Sequence, residues 1–187
     1  MPTHLRAVVL AGGSGSRLGG TDKAAMTHGE RTLLEHCLAA LAGATEVVVV
    51  GEPVATSRPV TFTREDPPGG GPAAGLLAGV EALRDTSGPV AVLAVDMPFV
   101  TAATFDRLLA AHAAATPSAG AFLVDSDGRR QLAGVLDVAR LPRPQDRHNL
   151  PLHVLLGGLD LVPVPAVGRE ATDIDTRDDL ERLRSDP

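Results

Sequence analysis

From residue 10 to residue 23 the chain reads Leu-Ala-Gly-Gly-Ser-Gly-Ser-Arg-Leu-Gly-Gly-Thr-Asp-Lys, a run of glycines and small residues carrying two cations. Glycines let successive backbone N–H groups turn inward and approach phosphate oxygens with no Cβ in the way. Arg17 and Lys23 bring fixed positive charge to the same anion. Two familiar phosphate loops do not fit. A GxGxxG pattern would begin at Gly13 and Gly15, but Leu18 stands at its third glycine. A phosphate loop with lysine directly after its last glycine fails because Thr21-Asp22 separates Gly20 from Lys23. The competing reading is an ordinary glycine-rich turn with two solvated cations.

Four carboxylates could add to such a site. Asp96 ends the apolar run Pro89–Val95, and a hard cation such as Mg²⁺ takes carboxylate oxygen; capping the next loop is the alternative role. Asp173 and Asp175 are two apart, so in extended backbone they point to one side. Asp175 is the second metal candidate, and capping of a helix at Thr176 competes with that role. Asp66 precedes Pro67-Pro68, where aspartate often starts a turn. The six histidines (His4, His28, His36, His112, His148, His153) show no metal-ligand spacing; His148 and His153 could at most line an acceptor pocket.

The elements that must position these residues follow from hydrophobic spacing. Leu5–Leu10, Glu46–Val50, Val60–Arg64 and Pro89–Val95 read as strands. Helices are expected around Leu34–Leu41, after the Pro/Gly loop 66–75 with Leu76, Val80 and Leu83 on one face, and around Phe105–His112. Ala121–Val124 and Leu132–Leu136 flank Ser126-Asp127-Gly128 and predict an antiparallel hairpin. A short helix at Leu150–Leu156, a strand at Leu159–Val164 and a last helix capped by Thr176 complete the chain, with Leu141–Pro144 as a surface loop. Alternating strands and helices predict one α/β domain over residues 1–187, three-layered α/β/α with a mostly parallel, mixed central sheet. Ligands of such sheets bind at the carboxyl ends of strands, where Gly12-Gly13, Asp96 and the segment before the last helix would lie.

Composition narrows the partners. A net charge of −6 leaves no overall basic footprint for a polyanion, and 2% aromatics with no Trp or Tyr leaves no stacking platform for single strands. No nucleic-acid partner is expected. The start lacks a signal-peptide pattern, no apolar stretch has a membrane-spanning length, and the single cysteine, Cys37, suits a reducing compartment. A cytoplasmic protein with no membrane partner is the expectation.

Leu10–Lys23 closely resembles the LAGGxSxRxGxxDK signature of molybdenum cofactor guanylyltransferases, within the nucleotidyltransferases of glycosyltransferase-A-like fold. Asp66 with Gly69-Gly70-Gly71-Pro72 and Gly75 resembles that family's acidic, then Gly-Pro, base-recognition segment. Ala94-Val95-Asp96-Met97-Pro98 resembles its strand-end metal motif, and Asp173-Ile174-Asp175-Thr176 its closing NxNTPEEL segment. The resemblance implies Mg²⁺-dependent transfer of GMP from GTP to the phosphate of molybdenum-bound molybdopterin, releasing pyrophosphate. It implies that Leu10, Ala11, Gly12 and Gly13 lie against the nucleotide, that Lys23 and Arg17 hold its phosphates, that Asp66 meets the guanine, and that Asp96 coordinates Mg²⁺. Molybdoenzyme maturation proteins are the further partners implied. Two departures stand out: Asp173 and Asp175 replace asparagines, and Arg177 replaces the proline after Thr176. The DxDT form also occurs in related cytidylyltransferases, so transfer of CMP, or transfer to another small phosphorylated acceptor, is the alternative. A non-catalytic nucleotide-binding protein would have no need of Asp96.

Overall fold

The computed structural model describes residues 5–12, 23–66, 68–174 and 179. A seven-stranded sheet is built from β1 (Arg6–Leu10), β4 (Glu46–Val50), β5 (Thr61–Thr63), β6 (Pro89–Ala94), β7 (Gly120–Val124), β8 (Arg130–Asp137) and β9 (Leu161–Pro165), in the order β5-β4-β1-β6-β8-β7-β9. Between β1 and β4 a two-residue ribbon pairs β2 (Thr27–His28) with β3 (Arg31–Thr32). Within the described seven-stranded sheet β8 is antiparallel to β6 and to β7, while the other pairings of that sheet are parallel. The sheet is therefore mixed in its C-terminal half, as the turn at Ser126–Gly128 predicts.

Each strand sends alternate residues to opposite faces, and here both faces are covered. Ala7, Val9, Val47, Val49, Ala91, Leu93, Ala121 and Leu123 pack with α1 (Leu33–Ala40) and α3 (Ala102–Ala114). Val8, Val48, Val50, Val90, Val92 and Phe122 pack with α2 (Gly71–Ala82) and α4 (Leu152–Leu156). With almost no aromatics, the core is filled by Leu, Val and Ala, and small residues permit close approach. On α2, a Cβ at Gly79 would stand 2.9 Å from Val50 Cγ2 and nearer still to Val8 Cγ1. The helix can lie this near β1 and β4 only with glycine there.

Several details differ from the sequence expectation. The Pro/Gly segment is helical from Gly71 onward, because Pro72 falls in the first turn, where its missing N–H costs nothing. Strand β5 shrinks to three residues at the sheet edge. The β2–β3 ribbon is too short to leave a periodic signal. The expected last helix lies outside the described residues except for helical Asp179.

Candidate nucleotide site

Beyond the carboxyl ends of β1, β4 and β6, backbone hydrogen bonds continue to join the chain. Ala11 N–H donates to the Val50 carbonyl at 2.9 Å, Val95 N–H to the Leu10 carbonyl at 3.0 Å, and Ile174 N–H to the Asp96 carbonyl at 2.8 Å. Leu10 and Ala11 are buried, and Gly12 opens to solvent. The loop that begins at Leu10 thus leaves from a floor formed by four chain segments.

Lys23 and Asp96 face each other over this floor. Lys23 opens a 3-10 turn, Lys23–Ala25, and its Nζ donates to Asp96 Oδ2 at 3.1 Å. Their side chains are 24% and 25% exposed, so each keeps a face open to a ligand. The sequence treats these residues as separate candidates, and the fold puts them in contact. Among the described residues no group of three His, Cys, Asp or Glu side chains could hold a metal. The donor set suits a hard cation that takes one carboxylate oxygen from the protein and the rest from phosphates and water, as Mg²⁺ commonly does. Gly13, Arg17 and Asp175 lie outside the described residues; Asp173 is exposed, next to the bond that ties Ile174 to Asp96.

Asp66 sits elsewhere on the same edge, in the loop after β5. It is exposed and lines a crevice of about 320 Å³ with Thr63, Arg64, Ala74, Glu81 and Arg147. The neighbouring Glu65 closes the turn, accepting the Gly69 N–H at 3.2 Å. Two bonds dock the segment after Leu141 onto this crevice: Arg147 Nη1 lies 2.7 Å from Glu81 Oε1, and Asn149 N–H donates to the Gly70 carbonyl at 3.0 Å. His148 and His153 are exposed, and neither lines the crevice.

Some supporting residues carry no sequence signal. Glu170 is buried, accepting Thr104 Oγ1 at 2.5 Å, Val167 N–H at 2.7 Å and Arg107 at 2.9 and 2.7 Å. Burial alone would raise its pKa, but the hydrogen bonds from Arg107, Thr104 and Val167, with the Arg107 charge, hold it at about 2. Cys37 lies under the strand end, with Sγ 3.8 Å from the Ala94 and Val95 carbonyls. Burial, and then the Asp96 charge, push its thiol pKa far up.

A mixed, mostly parallel α/β sheet with the start of a glycine-rich segment, a lysine and a carboxylate at its strand ends is the framework of a nucleotide-binding protein. Residues 7–163 match the family model described as MobA-like NTP transferase domain, and the chain belongs to this family. It is 39% identical over 128 residues to the molybdenum cofactor guanylyltransferase of Acidiphilium cryptum (strain JF-5), covering 64% of this chain and 61% of that one. It is 33% identical over 141 residues to the protein of the same name from Cupriavidus pinatubonensis, covering 68% and 66%. The matches thus span a little under two thirds of these relatives' lengths. The fold resembles the crystal structure of molybdopterin-guanine dinucleotide biosynthesis protein A from Archaeoglobus fulgidus, with a TM-score of 0.71 and 22% identity over 96% of this chain and 97% of that one.

Proposed function

We propose that this protein is a Mg²⁺-dependent nucleotidyltransferase that moves GMP from GTP to the phosphate of molybdenum-bound molybdopterin. The observation that carries the reading is the meeting of Lys23, Asp96 and the Leu10–Gly12 strand exit at the carboxyl end of the sheet, in a member of a nucleotidyltransferase family whose relatives bear the guanylyltransferase name.

An oxygen of the acceptor phosphate attacks the α-phosphorus of GTP. The new P–O bond forms as the bond to the β-phosphate oxygen breaks, and its electron pair leaves with pyrophosphate. The nucleophile is already an anion, so no general base is required. The protein's task is positioning and charge neutralisation. Leu10, Ala11, Gly12 and Gly13 lie along the nucleotide, Lys23 and Arg17 neutralise its phosphates, and Asp66 accepts hydrogen bonds from guanine. Asp96, with Asp175, would hold Mg²⁺, which when bound supplies Lewis-acid charge neutralisation at the phosphates. A single catalytic domain over residues 1–187 acts in the cytoplasm, and its product passes to molybdoenzyme maturation proteins. No helix among the described residues is long and apolar enough to cross a membrane.

The test is pyrophosphate release from each of the four NTPs, with and without molybdopterin and with Mg²⁺ supplied or chelated. Release that requires GTP, molybdopterin and Mg²⁺ together is the expected result. Release with CTP in place of GTP would shift the reading to a cytidylyltransferase.

A further inference from the structure

The segment after β9 carries another cation to the Asp96 end of the sheet, apart from the loop that bears Lys23. The guanidinium carbon of Arg169 lies 4.2 Å from the ring centroid of Phe99. Phe99 follows Asp96 by three residues, which limits their separation to about 11 Å of chain. The same ring meets His28 edge-on, with centroids 5.5 Å apart, and His28 follows Lys23 by five residues. The segments bearing Lys23, Asp96 and the closing motif therefore converge on Phe99, one of only four phenylalanines in a chain without Trp or Tyr.

Arg169 is exposed, yet the turn that carries it is fixed on both sides. Glu170 is clamped by Arg107, Thr104 and the Val167 N–H. Thr172 N–H donates to the Arg169 carbonyl at 2.9 Å, and Ile174 N–H to the Asp96 carbonyl. Arg107 and Arg147 are committed to Glu170 and Glu81, whereas Arg169 has no carboxylate within ion-pairing distance among the described residues. A guanidinium held over a ring keeps N–H donors at its rim, and that fork matches two oxygens of a phosphate.

We propose that Arg169, seated on Phe99, binds the phosphate monoester of the acceptor substrate. This rests on the nucleotidyl-transfer reading and adds to it the group that receives the second anion. Two anions must meet for the reaction to occur, in a chain whose own net charge is −6. Lys23 is assigned to the nucleotide, so the acceptor phosphate needs a cation of its own, and Arg169 stands at the edge of the Asp96 floor to supply it.

The experiment compares the full chain with Arg169→Ala, Arg169→Lys and Phe99→Leu. In pyrophosphate-release assays, Arg169→Ala is expected to raise KM for molybdopterin at least about tenfold, the effect of losing a charged hydrogen bond, with KM for GTP unchanged. Arg169→Lys keeps the charge without the fork and falls between. Phe99→Leu shifts KM for molybdopterin in the same direction by less. An unchanged KM for molybdopterin in folded Arg169→Ala, or a rise in KM for GTP in its place, overturns the assignment. A wild-type protein that releases no pyrophosphate with molybdopterin, molybdenum-bound or metal-free, overturns the acceptor reading instead. Calorimetric titration of the GTP-saturated protein with inorganic phosphate then decides Arg169 by itself: binding weakened about tenfold by Arg169→Ala upholds it, and equal binding overturns it.

Discussion

Lys23 Nζ lies 3.1 Å from Asp96 Oδ2, although 73 residues separate them in sequence. The contact joins two neighbouring places at the carboxyl end of the sheet, the segment that follows β1 and the end of β6, which are paired strands. On the proposed reading, a metal-bound nucleotide replaces this ion pair with two, phosphate on Lys23 and metal on Asp96. The contact leaves neither partly covered charge without an opposite charge beside it.

Lys23→Ala is expected to fold normally and to lose about 10²–10³ in kcat, the usual cost of removing one preorganised charge donor. Steady-state kinetics alongside a thermal melt check it. Wild-type turnover from a folded variant removes Lys23 from the phosphate site.

Asp96→Asn keeps the shape of the side chain and discards its charge. Turnover is expected to lose its dependence on Mg²⁺ and to drop to background, while the Ile174 N–H bond to the residue-96 carbonyl persists, because it involves backbone only. Titrating Mg²⁺ into wild type and variant measures this. An identical Mg²⁺ response in the two would leave Asp96 as a loop cap.

Asp66→Asn addresses the base. Guanine offers N1–H and N2–H₂ donors that adenine and cytosine lack in that arrangement. The exposed carboxylate of Asp66 can accept them because Glu65, and not Asp66, closes the turn at Gly69. Because this carboxylate is exposed, water can satisfy it when a base without those donors binds, so the preference it gives is well below the roughly 10⁴ of a buried polar site, and the variant should lose most of it. Competition of GTP and CTP for labelled nucleotide gives the ratio; equal displacement by CTP in the wild type points to the cytidylyl alternative.

Glu170 predicts an acid limb. Its carboxyl titrates at about 2 in the folded chain against an ordinary 4.5, so the folded state binds its proton less readily than the unfolded chain. The associated stabilisation, on the order of 3 kcal/mol, is complete above about pH 4.5 and disappears as pH falls toward 2. Denaturant melts across that window should show a steeper loss for wild type than for Glu170→Gln, which has no proton to take up. Parallel curves would mean that the clamp on Thr104 and Arg107 contributes no such linkage.

The fold was legible where burial on both sheet faces wrote uninterrupted apolar runs, as in Glu46–Val50 and Pro89–Ala94, and where Ser126-Asp127-Gly128 offered a turn whose glycine takes a positive φ of 76°. The site was legible one residue at a time. Lys23 and Asp96 stand out by type and place, but their contact depends on the order of β1 and β6 in the sheet, which no local pattern encodes. The Glu170–Arg107 clamp spans 63 residues, and each partner alone reads as an ordinary surface charge. Arg169 and Phe99 are equally silent, since a lone arginine and a lone phenylalanine carry no spacing. The helix start at Gly71 was obscured because glycine and proline, which punctuate loops, are also tolerated in a first turn.

The buried position of Cys37 has a practical side. It is the chain's single cysteine, 1% exposed and with its thiolate form suppressed by burial, so it is a poor target for maleimides and similar labels. A cysteine placed on the surface, for instance in the loop between Leu141 and Leu150, would therefore be the one thiol available to a fluorophore. The wild-type background is already suited to site-specific labelling, and the native residue can stay where it packs.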